Sequence, residues 1–279
     1  MKDPYIIADI EFLISTQNKV SLDFLKAIFK GYDLTKTSIL IVNQTQPDML
    51  LHSDFYNIRI VNSYEKGVAK SRNLALQNAR GKIVVFTDDD VEYFQDTCQI
   101  IVDAYNSNNT PDAILFQAQK SNSELLKPYA NNVQDPISTM SILNCGTIEI
   151  TLKTENFDPS RFKFDERFGI NAAFELGDEP VFIMDLKRDG KRVLFVNKSI
   201  VQHENITTIL KNSAEKNYFI LGAFYKRIFP KYHKIWIFIK VFFDLKQKKI
   251  KVNEVFNLLG CAKEGRNKYI STIAKNNSL

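Results

Sequence analysis

Cysteine is scarce in this chain, long apolar runs are missing, and the first apolar segment contains no glycine. The three cysteines, Cys98, Cys145 and Cys261, are odd in number, far apart and never arranged as CxxC. Neither a disulfide framework nor a zinc site is expected from them, and a reducing cytoplasm fits best. No apolar stretch reaches the roughly 18 residues that a spanning helix needs. The opening Met1-Lys2-Asp3-Pro4 carries an acid and a proline before only a short apolar run, which does not read as a secretory signal.

What is present has ordinary globular proportions. Of 279 residues, 44% are hydrophobic and 25% charged, enough for one large domain, or one domain with an appendage, and too apolar for disorder to dominate. The net charge of +5 hides an asymmetry. Residues 209–279 hold 15 Lys or Arg against 4 acids, a net +11, which leaves 22 against 28, a net −6, for residues 1–208. The two regions are expected to meet different partners.

The most informative stretch is Ile58 to Val91, IRIVNSYEKGVAKSRNLALQNARGKIVVFTDDDV. It reads as strand, polar loop with Gly67, helix over 68–80, Gly81 just past the helix end, a second strand, then three aspartates. Ile83 to Phe86 runs apolar without alternation, as in a strand buried on both faces of a parallel sheet. Asp88, Asp89 and Asp90 then sit at its carboxyl end, where open α/β sheets bind ligands. Adjacent carboxylates repel one another unless a cation neutralises them, and hard oxygen donors suit Mg2+ or Mn2+ bridging to phosphates.

Gly67, the Ser71-Arg72-Asn73 triplet, Gly81 and the Asp88 to Asp90 motif together resemble the hallmark segment of the GT-A glycosyltransferases of family 2. The resemblance implies an α/β fold with a mostly parallel sheet flanked by helices. It also implies a metal and a nucleotide-sugar diphosphate at the Asp-rich motif, with Arg72 near the nucleotide. In that family the loop after the first strand and the end of the second hold base and ribose. Here those positions are Ser15, Thr16, Gln17 and Asn43, departing from the usual Pro-Thr-Tyr-Asn-like turn and strand-end Asp. The nucleotide-sugar set implied is Ser15, Thr16, Gln17, Asn43, Gly67, Arg72, Asp88 and Asp89.

A second similarity lies in Phe164 to Gly169, FDERFG, followed by FELGDEPVF from Phe174 to Phe182. It matches the family segment that opens a helix with the catalytic acid. Acids in a first helical turn also simply favour the dipole, which is the plainer account. A general base must lie within about 3 Å of the acceptor hydroxyl. Glu179 matches the family base by position and Asp178 the acid before it, but the usual order of Glu then Asp is reversed here. Both stay open. His203 falls where relatives carry a histidine near metal and diphosphate, which implies a metal set of Asp88, Asp90 and His203. A structural histidine is the alternative.

In chain order, strands are expected at 10–15, 38–42, 58–61, 83–86, 113–117 and 193–197, with helices over 21–29 and 95–105. The first strand, helix and second strand imply a parallel pair. Residues 120–150 are turn-rich and suggest an excursion over the active face, with no residue singled out. The expected division is a catalytic domain at 1–208, its nucleotide-sugar half about 1–118 and acceptor half about 119–208, then a helical region at 209–279. There KIWIFIKVFFDLKQKKI, residues 234–250, mixes aromatics with lysines. A basic aromatic helix can lie on an anionic membrane; packing on the catalytic domain or on a second copy, as a homodimer, is the other reading.

The leading functional expectation is metal-dependent, inverting transfer of a sugar from a nucleoside-diphosphate sugar. The resemblance implies a glycan or lipid-linked acceptor in bacterial surface polysaccharide synthesis, in the cytoplasm or on the inner membrane face. A sugar-phosphate nucleotidyltransferase would need a glycine-rich signature that ADIEFLISTQNK lacks. A nucleic-acid binder using the +11 region would show steep salt dependence, but the net negative remainder and the lack of a known module argue against it.

Overall fold

Glu11 shows how the sheet begins. Its carboxylate lies wholly buried on the first strand, where it pairs with Arg59 at 2.6 Å and accepts the backbone N–H of Arg80 and Gly81 at 2.6 and 2.9 Å. A buried acid persists only when paired and hydrogen-bonded, and here the pairing ties three elements together. The structure is a computed structural model that describes residues 3–155, 157–204 and 212–276.

The described residues include an eight-stranded sheet. Its strands are β1 Ile10–Gln17, β2 Ser38–Gln44, β3 Ile58–Ser63, β4 Ile83–Asp88, β5 Val91–Tyr93, β6 Ala113–Gln119, β7 Ile150–Lys153 and β8 Val193–His203. The order across the sheet is β3-β2-β1-β4-β7-β6-β8-β5. The first four are mutually parallel, β7 runs antiparallel between β4 and β6, β8 is parallel to β6, and β5 is antiparallel to β8. The expected mostly parallel α/β sheet is therefore observed. Ile83 to Phe86 are buried on both faces at its centre, each aliphatic side chain contributing about 1.5–3 kcal/mol.

Helices α1 Leu25–Ile28, α2 Val68–Asn78, α3 Thr97–Ser107, α4 Thr139–Leu143 and α5 Asp178–Arg188 accompany the sheet. The helix expected over 21–29 shrinks to α1, one turn. Ser21 and Asp23 hydrogen-bond each other locally, and Asp23 also pairs with Lys26. Such side-chain bonds compete with helix formation. The strand expected at 193–197 instead continues to His203. Gly81 is not a helix cap, because α2 ends three residues earlier. A Cβ there would come within 2.9 Å of the Glu11 backbone nitrogen, so the position requires closeness rather than a turn.

The described residues cluster into two compact units. One lies within Met1–Glu166 and Asp178–Asn205 and holds the sheet; the other lies within Arg167–Gly177 and Ile206–Leu279. In the second, α6 Ala214–Ile228 and α8 Val255–Asn276 pack backbone to backbone. Side chains at Gly222 and Gly265 would collide with the carbonyls of Ala262 and Phe219. Between them in sequence is α7 His233–Lys246, which buries Ile237 and Val241 and stacks Trp236 on Phe229 with ring centroids 4.5 Å apart.

Candidate active site

The carboxyl ends of the parallel strands bring together residues far apart in sequence. Register sets Ser15 beside both Val42 and Asp88, Thr16 beside Asn43, and Asn43 beside Asn62. Gln17 is exposed and its amide reaches Gln44 at 3.4 Å. Asn43 is completely buried and its amide is fully engaged. It accepts from Lys19 N at 3.0 Å and donates to Lys19 O and Asn62, each at 3.0 Å. It therefore shapes the loop after β1 and presents no open amide edge. Gly67 precedes α2 at φ +122° and its carbonyl accepts from Gln44 at 2.9 Å.

Helix α2 buries Ala75 and Leu76, with Val68 and Ala79 only partly buried, and it buries the polar Ser71, Arg72 and Asn73 as well. Each of these three side chains finds a partner, as burial favours. Ser71 bonds Ser15 at 2.9 Å. Asn73 accepts from Phe164 N at 2.7 Å and donates to Phe164 O at 3.0 Å. Arg72 meets three carboxylates: Asp178 in a short ion pair, Glu179 at 3.1 Å and Asp88 at 3.4 Å. Its Nε has no partner among the described residues.

An aromatic cluster explains why Asp178 and Glu179 reach the guanidinium that Asp88 also meets. Asn73 fixes Phe164, whose ring stacks on Phe182 of α5 at 4.2 Å and meets Phe86 of β4 edge-on at 5.3 Å. Such contacts lock α5 against β4, so the helix starts where the strand ends. Thr147 then donates to Glu179 Oε1 at 2.5 Å. Nothing in the turn-rich stretch around Thr147 marks it, since neither its charge nor its spacing is unusual. Close by in sequence, Glu149 is buried with Lys127 at 2.6 Å and the Tyr129 hydroxyl at 2.7 Å.

The electrostatics of this cluster are uneven. Burial disfavours the Arg72 charge, but the carboxylates of Asp178, Glu179 and Asp88 outweigh it and hold the guanidinium protonated. Burial, then the charge of Glu179, pushes Asp178 up to about 7. Glu179 is held below its ordinary value although burial opposes this, because Arg72 and the Thr147 hydroxyl favour the carboxylate. The side chain of Glu179 is 18% exposed against 4% for Asp178, so Glu179 is the one open to solvent. Asp88 is raised by burial, with Arg72 opposing only in part.

The three consecutive aspartates diverge. Asp89 accepts from the Thr16 hydroxyl and pairs with Lys19 at 3.1 Å. Asp90 lies 3.4 Å from His203 Nε2, because β5 sets Val91 beside His203. The His203 contact, more than any other cause, holds Asp90 below its usual range and raises His203 in turn. Among the described residues no three His, Cys, Asp or Glu side chains are gathered as a metal cluster. Asp88 and Asp90 offer carboxylate oxygens and His203 a nitrogen beside Asp90, ligand types that suit a divalent ion, although the three are not gathered as one set.

Residues 33–171, spanning β2 to β7, match the sequence profile of glycosyl transferase family 2. No curated protein matches the chain in sequence. Among solved structures, residues 1–349 of S. aureus TarS share 17% identity at a TM-score of 0.60, covering 92% of this chain and 80% of that one. The same protein in complex with UDP-GlcNAc gives 15% and 0.59, covering 92% and 81%. At such identities these likenesses speak for the fold, and the profile speaks for the family. The matched span contains the Arg72 helix and the Asp88 strand, and the chain belongs to glycosyl transferase family 2 as a glycosyltransferase of GT-A architecture.

Proposed function

We propose that this glycosyltransferase moves a sugar from a nucleoside-diphosphate sugar to an acceptor hydroxyl with inversion, assisted by Mn2+ or Mg2+. The observation that carries the proposal is the convergence of Asp88 from β4 with Asp178 and Glu179 from α5 on the one guanidinium of Arg72. Glu179 is the proposed base. It is held ionised, open to solvent and oriented by Thr147, so it can accept the proton of a hydroxyl attacking the anomeric carbon. Asp178, buried beneath it, fixes Arg72 and so positions Glu179.

Asp88, Asp90 and His203 are the residues proposed to hold the metal. Bound there, a divalent ion would offset charge on the departing diphosphate. Ser15, Thr16, Gln17 and Asp89 line the strand ends proposed to meet nucleoside and ribose, with Asn43 and Gly67 shaping the loops behind them. The UDP-GlcNAc bound by the TarS neighbour supports a UDP-sugar as the first donor to try. We assign donor binding to about residues 1–118, acceptor binding to about 119–208 and a separate role to 209–279, with a glycan or lipid-linked acceptor of bacterial surface polysaccharide synthesis.

A panel of nucleotide sugars with Mn2+ tests the reading, scored by thermal stabilisation and sugar release. At least one donor is expected to stabilise both the native protein and Glu179→Gln. Turnover of the variant should fall about 10²–10⁴-fold. If Glu179→Gln turns over at the native rate, the base lies elsewhere. If no nucleotide sugar stabilises either protein, the donor class is wrong.

A further inference from the structure

Helix α7 is apolar on two faces, and only one of them is buried against other described residues. Ile237 and Val241 are buried, and Asp244, the only acid of the helix, is buried with them, accepting from the Tyr218 hydroxyl at 2.9 Å and pairing with Lys240 at 2.5 Å. The other face carries Ile235, Phe238, Ile239, Phe242 and Phe243, each 39–63% exposed. Their spacing of three and four residues forms one continuous stripe along the helix. Exposed apolar patches of this kind on a helix mark an interaction surface.

Charge decides the partner. Lys234 stands at the start of the stripe, Lys246 at its end, and Lys248 and Lys249 directly beyond, all exposed and without an ion-pair partner among the described residues. A second copy of the chain would set lysines against lysines whether the helices ran parallel or antiparallel, because both ends are basic and the one acid faces inward. Like charges so placed oppose association. An anionic lipid surface complements both features, with headgroups for the lysines and an acyl boundary for the aromatics. The segment is not a membrane span, since no described helix is long and apolar enough to cross.

We propose that the exposed face of α7 docks on an anionic lipid surface, placing Ile235, Phe238, Ile239, Phe242 and Phe243 at the acyl boundary under a rim of lysines. This docking does not depend on which sugar, or whether any sugar, is transferred.

Co-sedimentation of the full chain with phosphatidylglycerol-containing vesicles, and with pure phosphatidylcholine vesicles, tests it. The protein should pellet with the anionic vesicles, much less with the neutral ones, and be released by high salt. The double variant Phe238→Ser/Phe242→Ser should partition about tenfold more weakly or worse. Lys248→Glu/Lys249→Glu, which alters exposed side chains only, should weaken anionic binding alone. Melting curves and donor hydrolysis matching the native protein establish that the variants fold. Native protein remaining in the supernatant with anionic vesicles overturns the proposal, as does a phenylalanine variant that binds as well as the native chain. So does sedimentation velocity in which the native chain is a dimer that this variant dissolves without any vesicle binding, which would assign the face to a second copy.

Discussion

The sheet unit and the helical unit handle charge in opposite ways. In the first, charges are drawn inward: Glu11, Arg72 and Asp178 are buried, and each is neutralised by a named neighbour. In the second, the cations of α7 and the loop after it stay outside, and apolar side chains stay outside with them. Buried charge costs several kcal/mol per ion before pairing, so gathering three acids on one guanidinium adds little to stability. Exposed lysines beside exposed aromatics incur little desolvation cost and remain available to a surface. The contrast separates a place where atoms must be positioned from a place where area and charge suffice.

Three changes would break or sharpen that contrast, beginning with the largest effect. Asp90→Asn removes a carboxylate that is mostly solvent-exposed, so the fold should persist while transfer falls about 10²-fold or more. A melting curve, a transfer assay and nucleotide binding with and without Mn2+ check this together, and unchanged transfer would remove Asp90 from the site. In the helical unit, Gly222→Val forces a side chain against the Ala262 carbonyl. It should lower stability by about 1–3 kcal/mol, as overpacking does, measured by urea unfolding; an unperturbed midpoint would mean that α6 and α8 are not so closely packed.

The smallest effect concerns proton linkage at Asp178. Its pKa is raised from 3.8 to about 7, so the folded state binds a proton that the unfolded state has released. The stabilisation is complete below about 4 and is lost as pH rises through about 7. Asp178→Asn lacks this slope. Without added metal, the melting temperature of the variant relative to the native protein should climb between pH 5 and pH 8, and a constant difference would show that Asp178 is ionised throughout.

Much of the architecture was legible because it follows from periodicity. The unbroken run at Ile83 to Phe86 suited a buried strand, and strand, helix and strand at 10–42 implied a parallel pair. The FDERFG and GDE segments likewise pointed to the start of α5. What the sequence left hidden depends on contacts across long separations. The resemblance placed Arg72 near the nucleotide, but its pairing with Asp178, 106 residues away, had no sequence signal. Asn43 lay at the expected strand end, but its amide closes on Lys19 and Asn62. Helix α2 buries Ala75 and Leu76 as an amphipathic helix would, but the burial of Ser71, Arg72 and Asn73 beside them depends on partners in other elements. Thr147 gave no signal, because a single threonine after a glycine is unremarkable until Glu179 is beside it.

The Glu11 carboxylate has a consequence for how this chain can change. Surface loops usually accept insertions for a small entropic cost, and the turn from α2 into β4 is short and near the surface. Its length nevertheless works as a ruler. Glu11 grips the N–H groups of Arg80 and Gly81, and Gly81 has no room for a Cβ. One added residue between Gly81 and Ile83 would shift β4 by a single step and turn every side chain to the opposite face. Asp88 would then leave Arg72 while the sheet kept its hydrogen bonds, so the length of this one turn, unlike that of an outer loop, sets where Asp88 lies.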